Sequence, residues 1–190
     1  NQQWQGGTCV PFFLHWPGIA DKGLDNYTLG SGMDILPTFC EIIGVEPDDS
    51  DLQGHSLLND ILGKPSSIPQ DRVLINHAGR WTYPTEMESF KYNASMITNR
   101  FRLVWESESK SNKDAKRSLA LYNYRTDLGE QENIVDQHPE LVVKLQAMYE
   151  PWWKAAKKGM VNDLHQMKKG KLIGPPPSQK KLHKKASKKN

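Results

Sequence analysis

The chain has 190 residues, of which 37% are apolar and 25% charged, with only two cysteines. This excludes wholesale disorder, a disulfide-dense scaffold and a cysteine-built zinc finger, and it leaves room for one domain or for one domain with an appendage. The net charge of +3 conceals an asymmetry: nine lysines and no acid lie from Lys168 to Asn190, so residues 1–167 carry a net −6 and the body is no basic nucleic-acid-binding domain.

Thr8 to Trp16 is a β-branched and aromatic run between Gly6-Gly7 and Pro17-Gly18, and it predicts a buried strand. Asp34 to Val45 predicts a helix, with Ile35, Leu36, Phe39, Ile42 and Ile43 at helical spacing and Gly44 as its stop. Pro37 fits the first turn of that helix, and Asp34 is placed to cap its amides. Gly54 to Gly63 reads as a short helical turn packing Leu57, Leu58, Ile61 and Leu62. Lys64 to Gln70 is rich in Pro and Ser and marks a subdomain boundary.

Beyond it the texture turns to strands, at Arg72–Asn76, Ala94–Thr98, Phe101–Glu106 and Leu119–Tyr124, with Asn99-Arg100 as a tight connection. A small antiparallel sheet is expected from them. His138 to Lys157 predicts the longest helix, with Pro139 and Glu140 in its first turn and a kink expected at Pro151. Its stripe is Leu141, Val142, Leu145, Met148, Tyr149, Trp152 and Trp153, and this stripe should pack on the sheet. Residues 159–190 form a basic tail expected to be disordered. The longest apolar stretch, Cys9 to Leu14, is too short to span a membrane. Asn1-Gln2-Gln3-Trp4 has neither an initiator Met nor a signal-peptide pattern, which suggests a processed chain or a fragment.

Local catalytic motifs are scarce. The six histidines form no H-x-H or H-E-x-x-H pair, and the chain has no P-loop, no G-x-G-x-x-G and no G-x-S-x-G. The most site-like cluster is His77-Ala78-Gly79-Arg80-Trp81, which joins an imidazole, a guanidinium and an indole. An Arg pairs with oxyanions and a Trp stacks on a ring face, so His77, Arg80 and Trp81 are the candidate substrate contacts. The alternative is a turn with a packed Trp and a surface Arg. The tail lysines could bind a polyanion, but no aromatic is interleaved among them, so specific nucleic-acid recognition is not expected.

The segments, in this order, resemble the C-terminal half of the formylglycine-dependent sulfatases of the alkaline phosphatase superfamily. The run from Gln5 through Gly6, Gly7, Thr8, Cys9, Val10, Pro11 and Phe12 to Trp16-Pro17-Gly18 resembles the family's E-G-G-T-R-V-P-F-x-x-x-W-P-G segment. Met33-Asp34-Ile35-Leu36-Pro37-Thr38 resembles its D-[IL]-L-P-T helix start, and Gly54-His55-Ser56-Leu57-Leu58 its G-x-S-L-L stretch. Arg72-Val73-Leu74 with His77 to Trp81 resembles an H-x-G-R-W segment. Arg100 to Val104, Leu121 to Tyr124, and Asp127-Leu128-Gly129-Glu130 with Asn133-Ile134 resemble R-[YF]-[KR]-L-V, L-Y-[DN]-L and D-P-G-E-x-x-N-[LI], and His138-Pro139-Glu140 opens the closing helix. The similarity covers about residues 5–153. Gln5, Cys9 and Leu128 depart from the family's Glu, Arg and Pro.

The resemblance implies an α/β fold. Residues 1–62 would be the incomplete C-terminal part of an alkaline-phosphatase-like core. Residues 63–158 would be a small α+β subdomain, an antiparallel sheet covered by a long helix, and residues 159–190 the tail. It implies hydrolysis of sulfate esters by a formylglycine nucleophile assisted by Ca2+. The nucleophile motif, the calcium ligands and the sulfate-binding groups of the family lie upstream of Asn1, so this chain is expected to hold no catalytic or metal-binding residue and to be inactive alone. Residues 1–62 should then expose apolar surface. Cys9 and Cys40 are read as core residues. The substrate would be a sulfated small molecule or polysaccharide, and the location periplasmic or extracellular. Two alternatives stay open: an inactive sulfatase-like interaction module with a polyanion-binding tail, and a phosphoester or phosphonate hydrolase of the same superfamily.

Overall fold

The computed structural model describes residues 3–21, 23–47, 52–77, 93–107, 117–159, 167–168 and 171–172. The chain divides into two compact units, Asn1–Ala78 with Tyr92–Leu145, and Gly79–Lys91 with Gln146–Asn190.

In the first unit four strands pair in chain order: β1 (Leu74–His77), β2 (Ala94–Ile97), β3 (Arg102–Ser107) and β4 (Arg117–Tyr122). Every pairing is antiparallel, and the strands lie within two residues of their predicted spans. The β2–β3 turn closes where Thr98 N–H donates to the Phe101 carbonyl, while Phe101 N–H donates to Thr98 Oγ1, each at 2.9 Å. Strand side chains alternate between faces, so the register sorts them into two rows. Met96, Leu103 and Leu121 form one cross-strand row, and Ser95, Val104 and Ala120 the other. All six are fully buried, so the central strands have no solvated face.

The chain's beginning accounts for part of that burial. Trp4 packs against Val104, Ala120 and Tyr122, its ring 5.7 Å from that of Tyr122. The single helical turn α1 (Gln5–Thr8) follows. From Cys9 to Trp16 the backbone forms no strand, which corrects the sequence expectation. A strand exists by pairing, and this segment has no ladder partner among the described residues. Val10, Phe12 and Phe13 are 77%, 60% and 91% exposed, and Cys9 is exposed rather than part of a core.

Helix α2 (Ile35–Ile43) forms as its periodicity predicts. It ends at Gly44, whose φ of 68° is the left-handed conformation that glycine adopts cheaply. There Val45 N–H donates to the Cys40 carbonyl and Gly44 N–H to that of Glu41, the paired bonds of a Schellman stop. Its apolar stripe is not covered, however: Ile35, Leu36, Phe39 and Ile43 are all exposed, and only Thr38 is buried. Asp34 does not cap α2 with its side chain, a second correction, because its carboxylate is used elsewhere. The short α3 (Leu58–Ile61) matches the predicted turn.

The longest helix, α4 (Pro139–Gly159), carries Pro139 and Glu140 in its first turn, as expected. Val142 and Leu145, in the first unit, are buried. In the second unit Tyr149 and Trp153 continue that stripe and are buried too, while Met148 is 40% exposed. The stripe is thus narrower than the sequence suggested. The second unit also holds a two-residue antiparallel pair, β5 (Met167–Lys168) with β6 (Lys171–Leu172). No helix among the described residues is long and apolar enough to cross a membrane.

Candidate functional site

Of the residues proposed from sequence, His77 ends β1 opposite Ala94 and is half-buried. Arg80 and Trp81 lie outside the described residues. The organised polar chemistry of the first unit lies at two buried ion pairs, built from residues that the sequence marked as motif letters and, for Asp34, as a helix cap.

The first pair joins Asp34 and Arg72. Arg72 Nη2 donates to Asp34 Oδ1 at 2.7 Å and Nη1 to Oδ2 at 2.8 Å, a fork-on-fork contact with both side chains buried. The remaining carboxylate capacity accepts Ser31 N–H at 2.7 Å and His55 N–H at 2.9 Å. Arg72 also donates to the Leu29 carbonyl. Burial pushes the Asp34 carboxyl up, but the Arg72 bond, the two amides and the Arg72 charge outweigh it and hold the group below its ordinary value. Thr38 Oγ1 donates to the Asp34 carbonyl at 2.6 Å and accepts Leu57 N–H at 2.9 Å. Gly54 lies so close that a Cβ there would stand 2.0 Å from the Met33 carbonyl oxygen. The Asp, Thr, Gly and Arg of three separate motifs therefore form one structural joint.

The second pair joins Arg102 and Glu130, with Arg102 Nε 2.7 Å from Glu130 Oε1 and both side chains buried. Arg102 Nη1 donates to Thr8 Oγ1 at 2.6 Å and to the Gln3 carbonyl at 3.4 Å, and Nη2 donates to Gln5 Oε1. Glu130 Oε2 accepts Gln5 N–H at 2.8 Å. The guanidinium lies 5.7 Å from the Tyr124 ring centre, and Tyr124 OH donates to the Thr98 carbonyl at 2.6 Å. Burial pulls the Arg102 guanidinium down from its ordinary value, against the opposing charge of Glu130, and it pushes the Tyr124 phenol up. Glu130 has a φ of 52°, a conformation that costs a non-glycine residue roughly 1–2 kcal/mol.

The loop that presents Glu130 is fixed by its own motif. Asp127 Oδ2 accepts the amides of Gln131 and Glu132, each at 2.8 Å, and Asn133 Oδ1 accepts Leu121 N–H from β4 at 3.0 Å. A third cluster centres on Asp60, which accepts from Thr28 Oγ1, Asn26 Nδ2 and Ser66 Oγ. In these arrangements most of the polar groups are spent on one another; Arg102 Nε and Glu130 Oε1 meet as an ion pair without a well-aligned hydrogen bond. An open depression on α4, lined by Pro139, Glu140, Val143 and Lys144, is largely apolar and has no converging polar groups. Among the described residues no three His, Cys, Asp or Glu side chains gather closely enough to hold a metal ion.

No family model matches the chain. Over 84 residues it is 33% identical to human "Arylsulfatase D", covering 41% of this chain and 14% of that protein. Over 157 residues it is 25% identical to the "N-acetylgalactosamine-6-O-sulfatase" of Bacteroides thetaiotaomicron, covering 77% of this chain and 28% of that protein. A solved structure from work on glycosaminoglycan metabolism by B. thetaiotaomicron aligns with a TM-score of 0.48 at 19% identity, covering 74% of this chain and 31% of that one. The chain is thus a partial match to the sulfatases of the alkaline phosphatase superfamily, and it spans less than a third of each relative named here.

Proposed function

We propose that this chain is the C-terminal part of a sulfatase, and that the whole protein hydrolyses sulfate esters. The observation that carries the reading is the ordered run of family motifs from Gln5 to Glu140, joined to 33% identity with one sulfatase over 84 residues and 25% with another over 157. The geometry gives those motifs a reason: Asp34, Gly54, Arg72, Arg102, Glu130 and Asn133 are joints of the fold, so a chain keeps them by keeping the architecture. Residues 1–62 would complete a larger α/β core, and the exposed face of α2 and of residues 10–14 supports that role.

In this reading the nucleophile, a formylglycine, and the Ca2+ that polarises the sulfate belong to the upstream part of the protein, and the chain alone is inactive. His77, Arg80 and Trp81 remain the proposed substrate contacts. A guanidinium would pair with a sulfate oxygen and an indole would stack on the ring that bears the ester. The substrate is a sulfated small molecule or polysaccharide, and the protein acts in the periplasm or outside the cell.

The test begins with the coding sequence upstream of Asn1. A C/S-x-P-S/A-R segment there should accompany calcium-dependent sulfate release from an aryl sulfate or a sulfated saccharide by the full-length protein. An upstream sequence with no such segment, or a full-length protein that releases no sulfate from either substrate, refutes the reading. In the active protein Arg80→Ala should raise KM about tenfold or more, the cost of losing a charge-assisted contact.

A further inference from the structure

We infer that Arg102 and Glu130 form a clamp that positions the start of the chain on the sheet. The inference stands apart from the sulfatase reading, because it rests only on contacts within the first unit. Arg102 is 2% exposed at the start of β3, and its guanidinium reaches three residues of the N-terminal segment: Gln3, Gln5 and Thr8. Glu130 holds the other side of the same guanidinium and accepts the Gln5 amide. Two further contacts dock the segment, Trp4 on Val104, Ala120 and Tyr122, and Gln3 Nε2 on the Trp105 carbonyl at 3.2 Å.

The clamp is polar where a packing contact would be apolar, and that choice has a geometric consequence. Apolar contact is non-directional and would let the segment slide. A planar fork with donors in fixed directions defines one register. Glu130 keeps a left-handed backbone to take part, so its contacts over-determine a conformation that it would otherwise avoid. The segment leaves the clamp at Thr8 and continues through Cys9–His15, exposed and without strand pairing among the described residues, to the half-buried Trp16. The clamp therefore sets the position and direction from which that apolar run departs. Arg102 and Glu130 are positioning residues for it.

Residue-resolved amide exchange on the full chain tests this. Glu130→Gln keeps the shape and removes the charge. It should speed exchange at Gln5, Gly7 and Cys9 by about ten- to a hundredfold and leave β2 and β3 amides unchanged. Adding Gln5→Glu returns a carboxylate to the guanidinium from the other side, since Gln5 Oε1 already accepts from Arg102, and should restore most of the protection. Arg102→Lys keeps the charge without the fork and should not protect the segment. Exchange at 5–9 that does not change, equal acceleration in β2 and β3, or no restoration by Gln5→Glu overturns the clamp. Should Glu130→Gln fail to fold, Gln5→Ala removes one partner of the fork only, and the same contrast between 5–9 and the strands decides.

Discussion

The sheet and the segment from Cys9 to Val45 have similar raw material and opposite fates. Both are rich in Val, Leu, Ile and Phe. In the sheet Met96, Leu103, Val104 and Leu121 are fully buried, whereas Val10, Phe13, Leu36, Phe39 and Ile43 stand in water. Strands β2 to β4 find partners within about thirty residues of chain, whereas most apolar side chains of α2 and of residues 10–14 stay exposed. Apolar periodicity thus states what a segment needs to cover and leaves open whether the chain in hand supplies the cover.

The largest way to break the contrast is to strip the buried joints. Arg72→Ala should leave the Asp34 carboxylate buried and unpaired and should cost about 3–5 kcal/mol, and Arg102→Ala a similar amount through Glu130. Urea unfolding measures both. Next comes a direct pair of truncations. Leu103→Ala should cost about 2–5 kcal/mol, while Phe39→Ala should stay within about 0.5 kcal/mol in this chain. Phe39→Ala in the full-length protein sharpens the comparison, because a covered Phe39 would then cost about 3–5 kcal/mol. An equally small effect there would show that α2 stays exposed.

Gly54→Ala should cost about 1–3 kcal/mol, since its Cβ meets a backbone carbonyl that cannot rotate away. Thermal melting reads it, and Gly30→Ala, with only the far end of Leu57 nearby at 3.9 Å, is the tolerant control. The smallest effect is one of pH. Asp34 is held below its ordinary value of 3.8, so its contribution is fully present above that value. It is lost as pH falls through the lower, folded value. Asp34→Asn should flatten the acid limb of a stability–pH curve between those two points, and an unchanged limb would refute the assignment.

Much of the architecture was readable locally. The four strands were placed by β-branched and aromatic runs between breakers, and α2 by its spacing and by Gly44, because those signals act within a few residues. The site was less legible. Asp34 reads as a helix cap because capping is the local use of an Asp before a helix. Besides the Ser31 amide, its partners are Arg72 and the His55 amide, 38 and 21 residues away. Arg102 sits inside an apolar strand run, and that was the one available hint of a buried charge. Nothing near it in sequence names Glu130, Gln5 or Thr8 as its partners. Cys9 reads as core by its neighbours and is exposed because the segment around it has no covering layer.

By itself, then, the order of residues determined the four strands of the sheet, the helices α2 to α4 and the likeness to sulfatases, but not the fate of the run at Cys9–Trp16, since propensity, turn chemistry and motif order are local or linear properties. Tertiary structure alone decided which apolar faces are covered and that the motif charges are joints between Asp34 and Arg72 and between Arg102 and Glu130. Pairing a buried charge is worthwhile only when its partner arrives from elsewhere in the chain with the right geometry, and that arrival is set by the fold.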